Sequence, residues 1–229
     1  KVAYNPEHPF FAAFEYLKAV TPAGIVPKQT IPSPTMLFRD NRSDNWPKFY
    51  DQREDYLHDL ATVYHQTIQH FYELGARYVQ IDDTTWAFLI SKLNETQDRP
   101  AEHAKYETLA KEAVSVINEL LIGLPSDLTV TTHICRGNFR STFLFAGGYG
   151  AVAKYLAQLN YDGFFLEYDN ERSGDFAPLK TIFNHRLEKR IVLGLITSKD
   201  GQLEDKNEVI ARIKEASEYV PLENLAVST

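Results

Sequence analysis

Leu128-Thr-Val-Thr-Thr-His133-Ile-Cys-Arg-Gly-Asn138 is the stretch on which the fold turns. Leu128–His133 is a short run of β-favouring residues, apolar or β-branched on both faces, which is the signature of a buried parallel strand. It then changes abruptly into residues that ionise, bind or turn. Upstream, Glu102 to Leu121 carries Tyr106, Leu109, Val114, Ile117 and Leu121 at helical spacing, with Pro125 just beyond. A helix feeding a buried strand that ends in polar residues is one unit of an alternating α/β fold.

The same unit recurs in both directions. Strands are expected at Ile25–Ile31, Tyr78–Asp82, Gly163–Tyr168, Ile191–Thr197 and Leu225–Ser228. Between Tyr50 and Leu74, residues Leu57, Leu60, Ala61, Tyr64, Ile68, Phe71 and Tyr72 form a helical stripe that Gly75 closes. Further helices are expected at Tyr149–Leu159, Ala177–Arg190 and Asn207–Tyr219. Strict alternation implies a parallel sheet. A barrel needs eight such units and a doubly wound sheet five or six, so six strands do not choose by counting. No Gly-x-Gly-x-x-Gly follows the first strand, which weakens the dinucleotide-binding alternative.

The 229 residues suffice for one large α/β domain. The first residue is not Met, and Leu225-Ala-Val-Ser-Thr229 reads as a strand with no helix after it. The expectation is therefore a single domain over 1–229, cut at both ends, with about six of eight barrel strands present and about two units of roughly 30 residues missing. With 44% hydrophobic and 24% charged residues the composition is ordinary for a globular protein. A formal charge of -7 argues against non-specific nucleic-acid or anionic-membrane binding. No apolar run reaches the roughly 20 residues that span a bilayer, and no signal-peptide pattern opens the chain. Cys135 is the only cysteine, which excludes an intrachain disulfide and fits a cytoplasmic setting.

In either α/β fold, chemistry sits at the carboxyl ends of the strands. Four consecutive strands end in polar residues there: Gln80-Ile-Asp-Asp83, Thr132-His-Ile-Cys-Arg-Gly-Asn138, Leu166-Glu-Tyr-Asp-Asn170 and Thr197-Ser-Lys-Asp-Gly201. His133 and Cys135 are the sharpest pair. At strand spacing both point to one face, where an imidazole and a thiolate suit a metal, and Glu167 at the same height on the next strand offers an oxygen. A buried histidine beside a buried free thiol is the plainer reading of the pair alone. Asp82, still on its strand, is the candidate to receive a substrate ammonium; Asp83 reads better as a cap for the following helix. Pro32-Ser33-Pro34 is a rigid loop that shapes a pocket or merely turns. Lys199 is a candidate for a carboxylate or phosphate, although a solvated lysine is commoner. Phe145-Ala-Gly-Gly-Tyr-Gly150 reads as a turn before an anion cradle. His65, His70 and His185 fall within the expected helices as packing or surface residues.

Taken together, Gln80-Ile-Asp82, His133-Ile-Cys135, Glu167 and Glu171-Arg-Ser-Gly-Asp175 resemble, in order, the catalytic domain of the cobalamin-independent methionine synthases. The wording His-Ile-Cys-Arg-Gly-Asn, Gly-Gly-Tyr, Leu-Glu-Tyr-Asp and Leu-Gly-Leu-Ile-Thr-Ser-Lys is similar to that of the shorter, single-barrel members. The resemblance covers Lys28 to Thr229. It implies a (β/α)₈ barrel, a zinc ion held by His133, Cys135 and Glu167, and a further zinc cysteine after Leu225–Ser228, beyond Thr229. It also implies that Asp82 binds the amino group of homocysteine and that the methyl donor is a methyltetrahydrofolate with a glutamate tail. Arg172 and Lys199 are then candidates to meet carboxylates of either substrate. The segment from Cys135 to Glu167 is longer here than in the full-length synthases. Against this reading stand a metal-free barrel hydrolase or decarboxylase using Asp82 and Glu167, a methyltransferase with another thiol or donor, and a binding barrel without turnover.

Overall fold

The computed structural model describes residues 1–39 and 45–229. Six strands form one sheet in chain order, every neighbouring pair parallel. They are β1 (Gln29–Pro32), β2 (Tyr78–Asp82), β3 (Thr129–Ile134), β4 (Gly163–Glu167), β5 (Arg190–Gly194) and β6 (Leu225–Ser228). Helices intervene: α1 (Pro9–Val20), α2 (Arg53–Glu73), α3 (Thr85–Glu95), α4 (Pro100–Leu121), α5 (Gly150–Leu156), α6 (Pro178–Phe183) and α7 (Lys206–Ala216). A parallel sheet in sequential order with helices between its strands is the arrangement of a (β/α)₈ barrel, here with six of the eight strands.

Register explains how the strands sort their side chains. Ile31, Ile81, Thr132, Phe164 and Ile191 lie level across five strands and are all buried. They enter the core with the helices, where α2 packs on α4, α4 on α3 and α5, and α5 on α6. The alternate set points the other way: Pro32, Asp82, His133, Phe165, Val192 and Ala226 are level across all six strands. Period-two alternation thus separates a helix-facing apolar layer from a layer that carries the ionisable residues.

Most elements fall where the sequence places them, with instructive exceptions. β1 starts at Gln29 rather than Ile25; Ile25 and Val26 are exposed, and Pro27, which has no N–H to donate, separates them from the ladder. The helix expected over Ala177–Arg190 stops at Phe183, because Asn184 and His185 both adopt left-handed backbone, with φ of 48° and 56°. His185 therefore lies past the helix rather than in it. α1 was not expected, and α3, the helix that Asp83 was read as capping, had been given no span. α3 buries Trp86, Leu89, Ile90 and Leu93 at clean helical spacing. α1 begins on Pro9 with the His8 ring capping Phe10 N–H, and buries Phe11 and Phe14. Gly75 closes α2 as read: its φ is +105°, and a Cβ there would meet Lys18 Nζ at 2.5 Å, the amine that caps the Leu74 carbonyl at 2.9 Å. Among the described residues, no helix is long and apolar enough to cross a membrane.

At the other end of the sheet, Lys189 is 1% exposed, donates to the Leu159 carbonyl and lies 5.0 Å over the Phe164 ring. Burial pulls its pKa from 10.5 down to about 8. The unfolded chain keeps that proton to a higher pH, so between these values this group binds more protons in the unfolded than in the folded state, and its contribution to stability rises with pH. Lys189 is expected to contribute a gain of up to about 3 kcal/mol from pH 8 to pH 10.5, read as the difference between wild type and Lys189→Met over that window, because His133 and the buried Tyr64 and Tyr149, with raised pKa values, act in the opposite direction. Denaturant melts of both proteins at the two pH values check it; the same pH dependence in wild type and Lys189→Met contradicts the assignment.

Candidate active site

Three adjacent strand ends build the site. His133 near the end of β3 stands between Asp82 at the end of β2 and Glu167 at the end of β4. Its Nδ1 is 3.5 Å from Asp82 Oδ1, and its Nε2 is 3.6 Å from Glu167 Oε1. Gln80, two residues back on the same face of β2, donates to Asp82 Oδ1 at 2.7 Å. Burial alone would strip the proton from His133, but hydrogen bonds and charge from the two carboxylates outweigh it and raise its pKa to about 9. Glu167 answers in kind. Burial would raise it, yet bonds from His133 and Asn138 and the charge of Lys199 bring it to about 2. Burial also opposes ionisation of Asp82, and again His133, Gln80 and Lys28 hold it below its ordinary value. Asp82 remains the open member of the row, with 45% of its side chain exposed against 9% for Glu167.

Cys135 follows directly on β3. Burial pushes its thiol up; the Gly137 and Asn138 amides oppose that, and the charges of Glu167 and Asp82 add to it. A thiol so placed stays protonated near neutral pH unless a cation arrives, so it is poorly suited to be a nucleophile by itself. Among the described residues, no three His, Cys, Asp or Glu side chains already close into one metal-holding group. The donor chemistry nonetheless suits zinc. One imidazole, one thiol and one carboxylate come from two neighbouring strand ends, in a site where two carboxylates outnumber the single cationic ring.

The other residues singled out in the sequence divide. Asp83 is a cap, as expected: 1% exposed, it accepts from Thr85 N–H at 2.9 Å, Thr35 Oγ1 at 2.8 Å and Ser33 Oγ at 2.9 Å. Ser33, read as a pocket residue, is thus turned inward, tying β1 to the start of α3. Arg172 and Lys199, read as partners for substrate carboxylates, are held by carboxylates of this chain. Arg172 Nη2 lies 2.8 Å from both Glu167 Oε2 and Asp169 Oδ1, and Lys199 Nζ lies 2.8 Å from Asp169 Oδ2. The Gly147–Gly148 segment is a turn that docks on the β4 loop: Gly147 N–H donates to the Arg172 carbonyl at 2.8 Å, and a Cβ on Gly174 (φ +71°) would meet Gly148 Cα at 3.0 Å.

The structure therefore brings Asp82, His133 and Glu167 into one row, and places Cys135 beside it. Sequence reading missed Asn138, whose Nδ2 donates to Glu167 Oε1 at 2.6 Å, and Asp169, which binds both cations. Both lay inside stretches already read as strand ends. Their polar character was visible; their partners, 29 and 30 residues away for Glu167 and Lys199, were not.

Comparison with known proteins places the chain among relatives of one family. The family model described as the catalytic domain of cobalamin-independent synthase matches residues 45–229. The Bacillus subtilis protein YxjH is 45% identical over 222 residues, covering 96% of this chain and 57% of that protein. A methionine synthase of Saccharolobus islandicus is 25% identical over 184 residues, or 80% of this chain and 46% of that one. Among solved structures, a putative vitamin-B12-independent methionine synthase from Listeria monocytogenes superposes with TM-score 0.78 at 43% identity, over 98% of this chain and 63% of that one. A B12-independent methionine synthase from Shewanella, solved with selenomethionine, shares the fold at TM-score 0.67 and 18% identity, over 100% of this chain and 60% of that one. The chain spans little more than half the length of the Bacillus relative.

Proposed function

The chain belongs to the cobalamin-independent methionine synthase family, matching its catalytic domain, and from that premise we propose that it is a zinc-dependent methyltransferase that carries a methyl group from a 5-methyltetrahydropteroyl-glutamate to the thiol of homocysteine. The observation that carries this reading is the Asp82–His133–Glu167 row at three adjacent strand ends, with Cys135 leaving the strand that bears His133. His133, Cys135 and Glu167 would hold zinc. A further cysteine beyond Thr229 would follow β6, whose Ser228 is level with Gly194 and, through it, with Glu167. Bound zinc supplies a positive charge that lets a thiol bind as its thiolate near neutral pH.

The chain's own groups do the rest. Asp82, ionised and half open, receives the ammonium of the amino-thiol substrate. Its Oδ1 stays tethered by Gln80 and faces His133, so the carboxylate is fixed without being consumed. Asp82 thereby serves two directions: inward it steadies the His133 ring, outward it orients the substrate. Arg172 and Lys199 support the site from behind rather than meeting substrate carboxylates, since Asp169 and Glu167 engage them.

Methionine formation from homocysteine and 5-methyltetrahydropteroyl-triglutamate, with and without a strong chelator, tests the reading. Turnover that the chelator abolishes and zinc restores is expected. Hydrolytic or decarboxylating turnover that survives the chelator would favour a metal-free pair of Asp82 and Glu167 instead. Asp82→Asn is expected to weaken homocysteine binding by roughly 10- to 100-fold, the worth of one charge-assisted bond, while zinc content stays unchanged. Calorimetric titration of homocysteine into the variant checks this; wild-type affinity would remove Asp82 from the substrate site.

A further inference from the structure

We propose that Asn138 and Arg172 are positioning residues that set the Glu167 carboxylate for the metal, an inference that rests on the zinc reading above. Each takes one oxygen. Asn138 Nδ2 donates to Oε1 at 2.6 Å and Arg172 Nη2 to Oε2 at 2.8 Å. With both oxygens held the carboxylate cannot turn about its own axis, and Oε1 is the atom left facing His133 Nε2 at 3.6 Å. Arg172 thus assigns Oε1 as the ligating oxygen and withholds Oε2.

The supports of the two donors argue against an incidental contact. Asn138 lies three residues beyond Cys135 on the same loop, so the segment that carries one candidate ligand also holds a second, Glu167. Arg172 has 3% of its side chain exposed, and its guanidinium lies 4.5 Å over the Phe143 ring. Its carbonyl accepts from Gly147 N–H at 2.8 Å, and the Gly148–Gly174 approach locks the two loops together. Its Nε and Nη1 are buried without a hydrogen-bond partner among the described residues. Burying a cation with two unmet donors costs free energy, and the groups that offset it here are Glu167 and Asp169 on its remaining nitrogen. The loop after β3 and the loop after β4 therefore meet on one carboxylate. Outer partners of a metal's ligands orient those ligands and raise affinity, which is the role assigned here.

The test is zinc affinity by competition with a chromophoric chelator, on wild type, Asn138→Ala, Arg172→Gln and Arg172→Lys, alongside the melting temperature of each zinc-free protein. Asn138→Ala, in an exposed segment, is expected to keep the zinc-free melting temperature and lose roughly 10- to 100-fold in zinc affinity. Arg172→Gln is expected to lose as much, with Arg172→Lys recovering part because the charge remains and the planar fork does not. Folded Asn138→Ala and Arg172→Lys that bind zinc as tightly as wild type would overturn the positioning role alone. Wild type that takes up no zinc would overturn the ligand assignment and this inference with it.

Discussion

Cys135→Ser is expected to lose most of its bound zinc and, with it, methyl transfer. The sulfur is the one soft donor among the three candidate ligands present, and an alcohol is a far weaker zinc ligand than a thiolate. The loss should exceed the roughly 10- to 100-fold that an outer supporting residue commands. Folding should survive, because serine is close to cysteine in size and Cys135 lies past the end of β3 rather than in the apolar core. Metal content and methionine formation, measured on one folded preparation, give the result. Full zinc occupancy in the variant would remove Cys135 from the ligand set, and full activity without zinc would remove the metal from the reaction.

Asp169→Ala is expected to be the most damaging single change to the fold near the site. Asp169 has 3% of its side chain exposed and lies between Arg172 (3%) and Lys199 (13%), each at 2.8 Å. It also accepts from Thr197 Oγ1 at 2.9 Å, joining the β4 loop to the segment after β5. Removing it leaves Lys199 without its anion and Arg172 with one carboxylate instead of two. Breaking a buried pair from one side costs about 3–5 kcal/mol, because the remaining charge is neither solvated nor paired. Urea unfolding measures it. A loss below about 1 kcal/mol would show that water replaces the carboxylate and that the network is not a structural link.

How much of this was legible beforehand depends on the range of the interaction. Strand positions and the parallel sheet came from patterns within about ten residues, and β2 and β6 match their expected spans residue for residue. Ends set by a single dihedral were not legible: Asn184 and His185 turn left-handed and cut α6 short, although neither is glycine. Asp83 marked the start of α3, but the span of its stripe, Trp86, Leu89, Ile90 and Leu93, was not legible, because the polar run from Asp82 to Thr85 continues the strand end without a break.

The site shows the same division. His133, Glu167 and Asp82 were found because strand ends in a parallel sheet share one rim; register sets Asp82 level with His133, and Glu167 lies on the same face of β4, two residues beyond Phe165, which is level with His133. The fate of Arg172, Lys199 and Ser33 was not readable, because it depends on which buried carboxylate reaches them first. Arg172 is five residues from Glu167 and three from Asp169 in the chain, yet only the 3₁₀ turn at Glu171–Ser173 folds it back onto both. Ser33 meets Asp83 across 50 residues.

His133, Cys135 and Glu167 as zinc ligands are the point on which the proposed chemistry depends. Elemental analysis of the purified, folded and reduced protein, extended past Thr229, tests it most directly. About one zinc per chain is predicted. Folded protein that carries no zinc, and takes up none from a buffered supply, would contradict the account and leave the paired carboxylates Asp82 and Glu167 as the chemistry to explain.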